Sequence, residues 1–213
     1  MPSTPEALAD AAARQLCTLP GPRSLVAIAG PPGAGKSTVS DRILARLADE
    51  GRTAAVVPMD GFHLDNALLA ARGLLHRKGA PETFDADGFR HLVARIAAGE
   101  PEVIYPVFDR SRDIAIAGAG VLKADVEFVL FEGNYLLLRE APWSGLAQYW
   151  TRTIWIDAPL PTLEARLMER WHAEGLGEDE ARTRVQGNDL PNARRVIEGS
   201  LPGDIVLRVA APS

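Results

Sequence analysis

The stretch G30-P31-P32-G33-A34-G35-K36-S37 is a full match to the pattern G-x-x-x-x-G-K-[ST]. Glycines at these positions let backbone N–H groups close around a phosphate, the lysine reaches the terminal phosphates, and the hydroxyl that follows can ligate Mg²⁺. A helix that begins here adds the positive end of its dipole. The stretch therefore predicts a nucleotide-binding P-loop. Its predicted nucleotide contacts are Gly30, Gly33, Ala34, Gly35, Lys36, Ser37 and Thr38.

The segments around this motif carry the pattern of a parallel α/β fold. An apolar run at residues 25–29 precedes the motif, and apolar residues recur every four positions after it until Gly51. Further strands are predicted at residues 53–59, 102–108, 126–131, 152–156 and 204–209, and helices at residues 5–16, 66–74 and 87–98. Helical crossovers between strands predict a mostly parallel sheet covered on both faces. The expected architecture is a three-layer αβα P-loop NTPase fold.

Length and composition predict one domain. The chain has 213 residues, of which 46% are hydrophobic and 24% charged, and this suits a single α/β unit with a full core. Residues 1–213 are therefore predicted as one P-loop kinase domain. A capping pattern at residues 3–6 predicts the start of the first helix, and the Gly/Ala-rich segment 114–122 predicts a short hairpin. A small helical lid is predicted within about residues 166–192.

The charge and cysteine content restrict the partners and the compartment. A formal net charge of −5 provides no basic field to hold nucleic acid by its phosphates. No apolar run approaches the roughly 20 residues of a membrane span. The single Cys17 suits a reducing compartment. We therefore predict a cytoplasmic protein with a small-molecule substrate and neither nucleic acid nor membrane as a partner, and a homodimer stays open because Trp143, Trp150 and Trp155 fill either a core or a dimer face.

Two apolar runs end on an acidic residue, at Asp60 and at Glu132. Because the carboxyl ends of parallel strands meet at one edge of a sheet, both acids are expected to face the bound phosphates. We predict that Glu132 joins Ser37 in binding Mg²⁺ and that Asp60 is the general base that accepts a hydroxyl proton. The alternatives are an Asp-Gly turn at Asp60 and an exposed strand-end acid at Glu132.

The surroundings of Asp60 leave two roles open for His63. It contacts substrate or has a purely structural role; a metal site formed by His63 and Asp65 is the less favoured third interpretation, because no further ligands flank them in a standard spacing.

Basic and amide side chains supply further candidates. Arg110 and Arg112 suggest a polar or anionic substrate, since a guanidinium grips carboxylate or phosphate in two places, and solvated surface arginines are the alternative. Arg166 and Arg170 border the apolar stripe of a predicted helix, where they could swing over the nucleotide as catalytic lid residues or form a solvated Arg/Glu face. Asn188 is a candidate substrate contact in a segment that also looks like a helix boundary.

A P-loop alone does not define a reaction. The guanine-reading sequence N-K-x-D and the L-S-G-G-Q sequence of transporter ATPases are absent. An acid after the second strand favours a small-molecule kinase, with a sugar, nucleoside or pantothenate-like acceptor. A nucleotide kinase and a regulatory ATP-binding protein without a kinase substrate are the alternatives.

The combination of G30-P-P-G-A-G-K-S37, D60-G-F-H63 and F131-E-G-N134 resembles the phosphoribulokinase/uridine kinase superfamily of P-loop kinases. Within it, the block from D60-G-F to K78-G-x-P-E-x-x-D85 is similar to type I pantothenate kinase. E132-G-N-Y-L-L-L138 and N188-D-L-P-N192 resemble bacterial proteins named nucleoside/nucleotide kinase-like or "putative fructose transport system kinase". The stretch P106-V107-F108-D109-R110 departs from the P-V-Y-S-H of pantothenate kinases and is closer to the P-V-Y-D of uridine kinases.

The resemblance implies ATP and Mg²⁺ as cofactors. It implies that Lys36 and Ser37 contact nucleotide and metal, that Asp60 is the base and that Glu132 binds Mg²⁺. It also implies a lid with basic residues near Arg166 and Arg170. For the segment around Asn188 it implies a contact with substrate or with adenine.

Overall fold

A computed structural model describes residues 5–209, and the capping pattern predicted at residues 3–6 lies outside the side chains it describes. The described strands are β1 (Ser24–Ala29), β2 (Ala54–Pro58), β3 (Glu102–Asp109), β4 (Ile114–Lys123), β5 (Phe128–Gly133), β6 (Arg152–Asp157) and β7 (Ile205–Arg208). The described α-helices are α1 (Pro5–Leu16), α2 (Lys36–Asp49), α3 (Asn66–Ala71), α4 (Ala86–Ala97), α5 (Leu160–Ala173), α6 (Glu178–Arg184) and α7 (Leu190–Gly199). A π-helical turn, Val185–Asp189, joins α6 to α7.

Five strands form a parallel sheet in the order β2-β5-β1-β6-β7. Every residue of β1 is buried, as expected for a central strand that is covered on both faces. One core cluster, with Phe89 of α4, Phe131 of β5 and Trp143, lies on one face of the sheet. The other, with Ile28 of β1 and Ile43 of α2, lies on the opposite face. The predicted three-layer αβα fold is therefore confirmed.

The segment 102–108 does not join the parallel sheet as predicted. It belongs to β3, which pairs antiparallel with β4 in a separate two-stranded sheet. The first residues of β3 alternate between exposed and buried, which is the pattern of a sheet with one solvated face. The prediction of a short hairpin within residues 114–122 is also wrong, because that segment is one continuous strand of the larger hairpin.

The hairpin packs closely on the turn that follows β2. A Cβ atom placed on Gly61 would lie 2.1 Å from the carbonyl oxygen of Pro106 in β3, so only glycine permits this approach. The contact brings the β3–β4 turn to the carboxyl edge of the central sheet. At that edge Ala29 of β1 is in register with Gly133 of β5, and Pro58 of β2 with Glu132. The P-loop, the turn after β2 and the end of β5 therefore meet there.

The tryptophans singled out in the sequence contribute to the core. Trp143 is almost fully buried, and Trp150 and Trp155 are partly buried against the same cluster. The homodimer stays a prediction.

In the described part of the chain, no helix combines the length and the apolar character needed to cross a bilayer.

Candidate active site

A cavity of about 400 Å³ lies at the carboxyl edge of the sheet. It is lined by five parts of the chain: the P-loop, the turn after β2, the loop between α3 and α4, the β3–β4 turn, and the end of β5. Side chains from α5 to α7, the region of the predicted lid, complete the lining. Such a concave site at the strand ends is where ligands bind in open α/β sheets.

The P-loop forms the nucleotide end of this cavity. Gly33 and Gly35 have φ angles of +80° and +91°, a left-handed conformation that favours glycine. Lys36 is buried, and its Nζ atom donates to the carbonyl oxygen of Pro31 at 3.1 Å. Burial lowers the pKa of Lys36, and the nearby carboxylates of Glu132 and Asp60 oppose that shift. The loop thus holds a cation ready to accept phosphate as its partner.

The other predicted nucleotide contacts divide into two groups. Ser37 and Thr38 line the cavity together with Gly33, Gly35 and Lys36. Gly30 and Ala34 are buried beneath the loop and are not part of the lining. Gly30 lies so close to β6 that a Cβ atom there would be 2.8 Å from the Ile156 carbonyl oxygen. These two residues therefore support the loop, and their contact with nucleotide stays a prediction.

Glu132 stands at the end of β5 and lines the cavity beside Ser37. Burial raises the pKa of its carboxyl to about 6, although Lys36 acts in the opposite direction. No described group hydrogen-bonds to this carboxylate, so its oxygens are available to a cation. The described residues contain no group of three His, Cys, Asp or Glu that would hold a metal by itself. A hydroxyl and one carboxylate nevertheless fit Mg²⁺, which commonly takes one or two protein oxygens and completes its shell with water and phosphate.

Asp60 lines the same cavity and is coupled electrostatically to both Lys36 and Glu132. Its Oδ2 atom accepts a hydrogen bond from Nη2 of Arg110 at 2.6 Å, so two predicted site residues form an ion pair. The 3-10 turn Met59–Phe62 holds Asp60 at the edge of the sheet. The structure thus brings both predicted carboxylates to the phosphate-binding loop.

His63 lies between two aromatic rings, with centroid distances of 4.0 Å to Phe84 and 4.6 Å to Phe108. Its Nδ1 atom is 2.8 Å from the carbonyl oxygen of Asp60, so Nδ1 carries the proton and Nε2 is an acceptor. Burial lowers the pKa of the ring and keeps it neutral. Asp65 caps α3 by accepting from the N–H of Ala67, and the metal site considered for His63 and Asp65 has no support here.

Arg112 and Asn188 are held away from the cavity lining. Arg112 donates through Nε to Asp109 at 2.8 Å, within the β3–β4 turn. Asn188 is buried, donates to the carbonyl oxygen of Lys78 at 2.9 Å and accepts from Arg77 at 2.9 Å. This Asn ties the π-helical turn to the loop before α4. Substrate contacts by Arg112 and Asn188 stay predictions.

The predicted lid arginines both lie on α5 and have different partners. The stripe beside them is buried at Leu163 and Leu167. Arg166 donates through Nη1 to the carbonyl oxygens of Gly33 at 3.4 Å and Ala34 at 3.2 Å, so it holds the back of the P-loop.

Arg170, in contrast, lines the cavity. Its guanidinium lies 4.8 Å from the ring centroid of Trp171 and 3.7 Å from the carboxylate of Asp189. Of the two predicted lid arginines, Arg170 is therefore the one that lies at the cavity surface.

Sequence reasoning missed Lys78 and Arg184, which both line the cavity. Lys78 is buried, and its Nζ atom donates to Oδ1 of Asn66 at 2.7 Å and contacts the carboxylate of Asp113 at 2.8 Å. A lysine in a Gly-punctuated loop has no local feature that separates it from a solvated one. The K78-G-x-P-E82 match to pantothenate kinases was the available signal.

The chain is similar to several known proteins over most of its length. The chain is 34% identical over 192 residues to "Uncharacterized protein YggC" of Escherichia coli, covering 89% of this chain and 79% of that protein. It is 33% identical to "Putative uridine kinase C227.14" of Schizosaccharomyces pombe, covering 87% and 83%. A pantothenate kinase from Chelativorans is 30% identical, but the match spans only 48% of that protein.

Solved structures share the whole fold. The crystal structure of a "putative fructose transport system kinase" from Silicibacter is 48% identical, with a TM-score of 0.88 over 96% of this chain and 99% of that one. Phosphoribulokinase from Rhodobacter spheroides, at 13% identity, shares the fold with a TM-score of 0.54 over 88% of this chain and 70% of that one.

The family described as "Methylmalonyl Co-A mutase-associated GTPase MeaB" matches residues 3–63. That match is less than half of the chain and contains the P-loop, the part that P-loop proteins of many functions share.

Proposed function

This chain belongs to the phosphoribulokinase/uridine kinase-like family of P-loop kinases, and we propose that it transfers the γ-phosphoryl group of MgATP to a hydroxyl group of a small metabolite. As a member of this family it is a phosphotransferase with an alcohol acceptor. The observation that carries the finer proposal is the meeting of Lys36, Asp60 and Glu132 in one cavity.

Asp60 supplies the base in this proposal. A hydroxyl placed beside its carboxylate loses its proton to Asp60 as the new O–P bond forms, and the bond from the γ-phosphorus to the bridging oxygen breaks, its electron pair leaving with ADP. Arg110 occupies Oδ2 of Asp60 in this structure, so the acceptor approaches the remaining oxygen or displaces the guanidinium. Either way, Arg110 lies next to the acceptor.

The nucleotide end stabilises charge. Lys36 and the P-loop N–H groups bind the phosphates, and Arg170 adds a second cation from the lid. Ser37 and Glu132 would hold Mg²⁺, which supplies charge neutralisation on the phosphate oxygens when bound. Arg166 supports the loop from behind and acts as a positioning residue.

The test is ADP release with a panel of acceptors: sugars, nucleosides, pantothenate and nucleotides. The printed names of the relatives make uridine and pantothenate the first to examine. One alcohol should raise ADP release above the basal rate, and Asp60→Asn should abolish that increase while nucleotide binding remains. Hydrolysis that ignores every acceptor would instead favour a regulatory ATP-binding protein.

A further inference from the structure

The cations that line the cavity differ in their partners. Lys78 is paired with Asp113 and Arg110 with Asp60, while Arg170 has Asp189 at 3.7 Å and Glu174 at 4.0 Å. Within the part of the chain that the structure describes, Lys36 and Arg184 are the two lining cations without a carboxylate within 4 Å. Lys36 is accounted for by the nucleotide. Arg184 has a carboxylate, Asp189, only beyond ion-pair distance, and it has no role in the proposed reaction.

The guanidinium of Arg184 is partly desolvated. Its Nε atom is buried without a hydrogen-bond partner, and its Nη2 atom makes one long contact, 3.4 Å to the carbonyl oxygen of Lys78. A buried donor without a partner costs about 1–3 kcal/mol, and more when the group is charged. Because Arg184 lines the cavity, an oxyanion there would give the guanidinium a charged partner, and a guanidinium can hold carboxylate or phosphate with two donors.

A fixed aromatic ring supports the same guanidinium. The Arg184 guanidinium carbon lies 5.0 Å from the ring centroid of Trp171, and that of Arg170 lies 4.8 Å from the same centroid. The Trp171 ring is itself anchored by a 2.6 Å hydrogen bond from Nε1 to Asp189. Both guanidinium groups lie on one ring, and both act electrostatically on the carboxylate of Asp189. The Arg184 guanidinium is therefore held in place at the wall of the cavity.

The positions of Arg170 and Arg184 indicate which anion each would bind: the triphosphate of ATP or an anionic group on the acceptor. Arg170 lies on the same helix as Arg166, which contacts the P-loop, and it acts electrostatically on Lys36, so it belongs to the triphosphate end. Arg184 instead contacts the main chain of Lys78, whose side chain lies over the Phe108 ring at 5.3 Å. Phe108 in turn stacks on His63, next to Asp60. Arg184 thus adjoins the wall formed by His63, Lys78, Phe84 and Phe108, the acceptor wall.

We propose that Arg184 binds an oxyanion carried by the acceptor, so that the acceptor is a hydroxy carboxylate or a phosphorylated alcohol and not a neutral sugar or nucleoside. This inference rests on the proposed function, because it takes Asp60 as the side of the cavity where the hydroxyl reacts. In this proposal Arg184 is the residue that selects an anionic acceptor over a neutral one. A site built around a charged partner discriminates strongly against analogues that lack it.

The experiment is titration calorimetry on the full chain with the nucleotide end filled by Mg²⁺ and a non-hydrolysable ATP analogue. Four probes are compared: glycerol, glycerate, glycerol 3-phosphate and inorganic phosphate. Arg184→Gln removes the charge, and Arg182→Gln is the matched control, because Arg182 lies on the same helix, is exposed and pairs with Glu178. Arg184→Lys retains the charge without the planar fork.

We expect the wild type and Arg182→Gln to bind at least one acidic probe, with glycerol at least tenfold weaker. Arg184→Gln should weaken that acidic probe at least tenfold and leave the affinity for the ATP analogue unchanged, with Arg184→Lys between the two. Preference for glycerate over the phosphate probes identifies a carboxylate, and the reverse identifies a phosphate.

Three results overturn the inference: no acidic probe binds the wild type, glycerol binds as tightly as the acidic probes, or Arg184→Gln leaves the affinity for the acidic probes unchanged. If that variant weakens the ATP analogue instead, Arg184 belongs to the triphosphate. Failure of the wild type to bind the ATP analogue is a separate outcome, since it removes the proposed function itself before the acceptor probes are read.

Discussion

The two ends of the cavity are built in different ways. The nucleotide end comes from one continuous stretch, residues 30–38, and consists largely of main chain shaped by Gly33 and Gly35. The acceptor end takes single side chains from segments far apart in sequence, including His63, Lys78 and Phe108. The first end therefore recognises phosphate by a local device shared by many P-loop proteins, and the second holds what is particular to this one.

The ends also differ in how their charges are satisfied. At the nucleotide end, the hydrogen bond that Lys36 makes to the described residues goes to a carbonyl oxygen, and its carboxylate neighbours Glu132 and Asp60 act on it only at longer range. At the acceptor end the β3–β4 turn contributes to two ion pairs, Arg110 with Asp60 and Asp113 with Lys78. The charged side chains of the acceptor end are thus already paired with one another. A substrate must compete with those ion pairs or use them. Substitutions at the two ends should consequently impair different steps: nucleotide binding at one end, and acceptor binding or phosphoryl transfer at the other.

Asp60→Asn should give the largest effect and should affect the acceptor end alone. Loss of the base is expected to lower kcat on the order of 10³-fold while the Kd of ATP stays within about twofold. The measurement is steady-state ADP release combined with nucleotide titration. Wild-type turnover in this variant would remove Asp60 from the role of base.

Lys36→Ala should damage the nucleotide end. Removing the buried cation should weaken ATP binding and lower kcat/KM for ATP on the order of 10²-fold, because its charge is complementary to the terminal phosphates. Titration with ATP and initial rates at varied ATP would detect both losses. An ATP affinity equal to that of the wild type would contradict the assignment of the phosphate-binding end.

Glu132 lies between the nucleotide end and the acceptor end, and the variant Glu132→Gln tests its raised pKa through the pH dependence of protein stability. The pKa of Glu132 is raised to about 6 from an ordinary 4.5. An acid whose pKa is raised in the folded protein stabilises the folded state at pH values below its ordinary pKa. That stabilisation disappears as the pH rises through about 6. Without Mg²⁺, the free energy of unfolding of the wild type should therefore fall relative to Glu132→Gln between pH 4.5 and 6, by about 2 kcal/mol at most.

Denaturant unfolding in the presence of a chelator across this pH range gives the measurement. A difference between the two proteins that does not change with pH would show that the carboxyl of Glu132 titrates normally.

Arg110→Gln compared with Arg112→Gln should give the smallest and most selective effect. The two side chains are 61% and 60% exposed and each has one carboxylate partner, but Arg110 lines the cavity and Arg112 does not. Exposed ion pairs contribute at most about 1 kcal/mol, so both variants should unfold near the wild-type temperature.

The acceptor KM is expected to change roughly tenfold in Arg110→Gln, equivalent to about 1.4 kcal/mol, and to remain near wild type in Arg112→Gln. Initial rates at varied acceptor concentration would measure this. Equal effects of the two substitutions would mean that the position of Arg110 beside Asp60 has no consequence for the acceptor.

Much of this molecule follows from local rules that are visible in the chain. The phosphate-binding stretch needs only its own glycines and lysine, and the runs before Asp60 and Glu132 predict buried strands because a parallel sheet buries both faces. Parallel strands place their carboxyl ends together, so the meeting of these two acids with residues 30–37 was also predictable. The family resemblance on the same motifs was confirmed by the relatives.

Long-range packing decided the rest. Nothing local distinguishes Arg110 from Arg112, yet the close approach of β3 to Gly61 places one of them on Asp60 and leaves the other on Asp109. The same kind of contact buries Lys78, and among the described residues no carboxylate lies within 4 Å of the Arg184 guanidinium. The sequence by itself determined the nucleotide end and the positions of the acids, because those depend on neighbours along the chain. Only the tertiary structure decided which charges at the acceptor end are already paired, because the partners of Arg110 and Lys78 lie dozens of residues away.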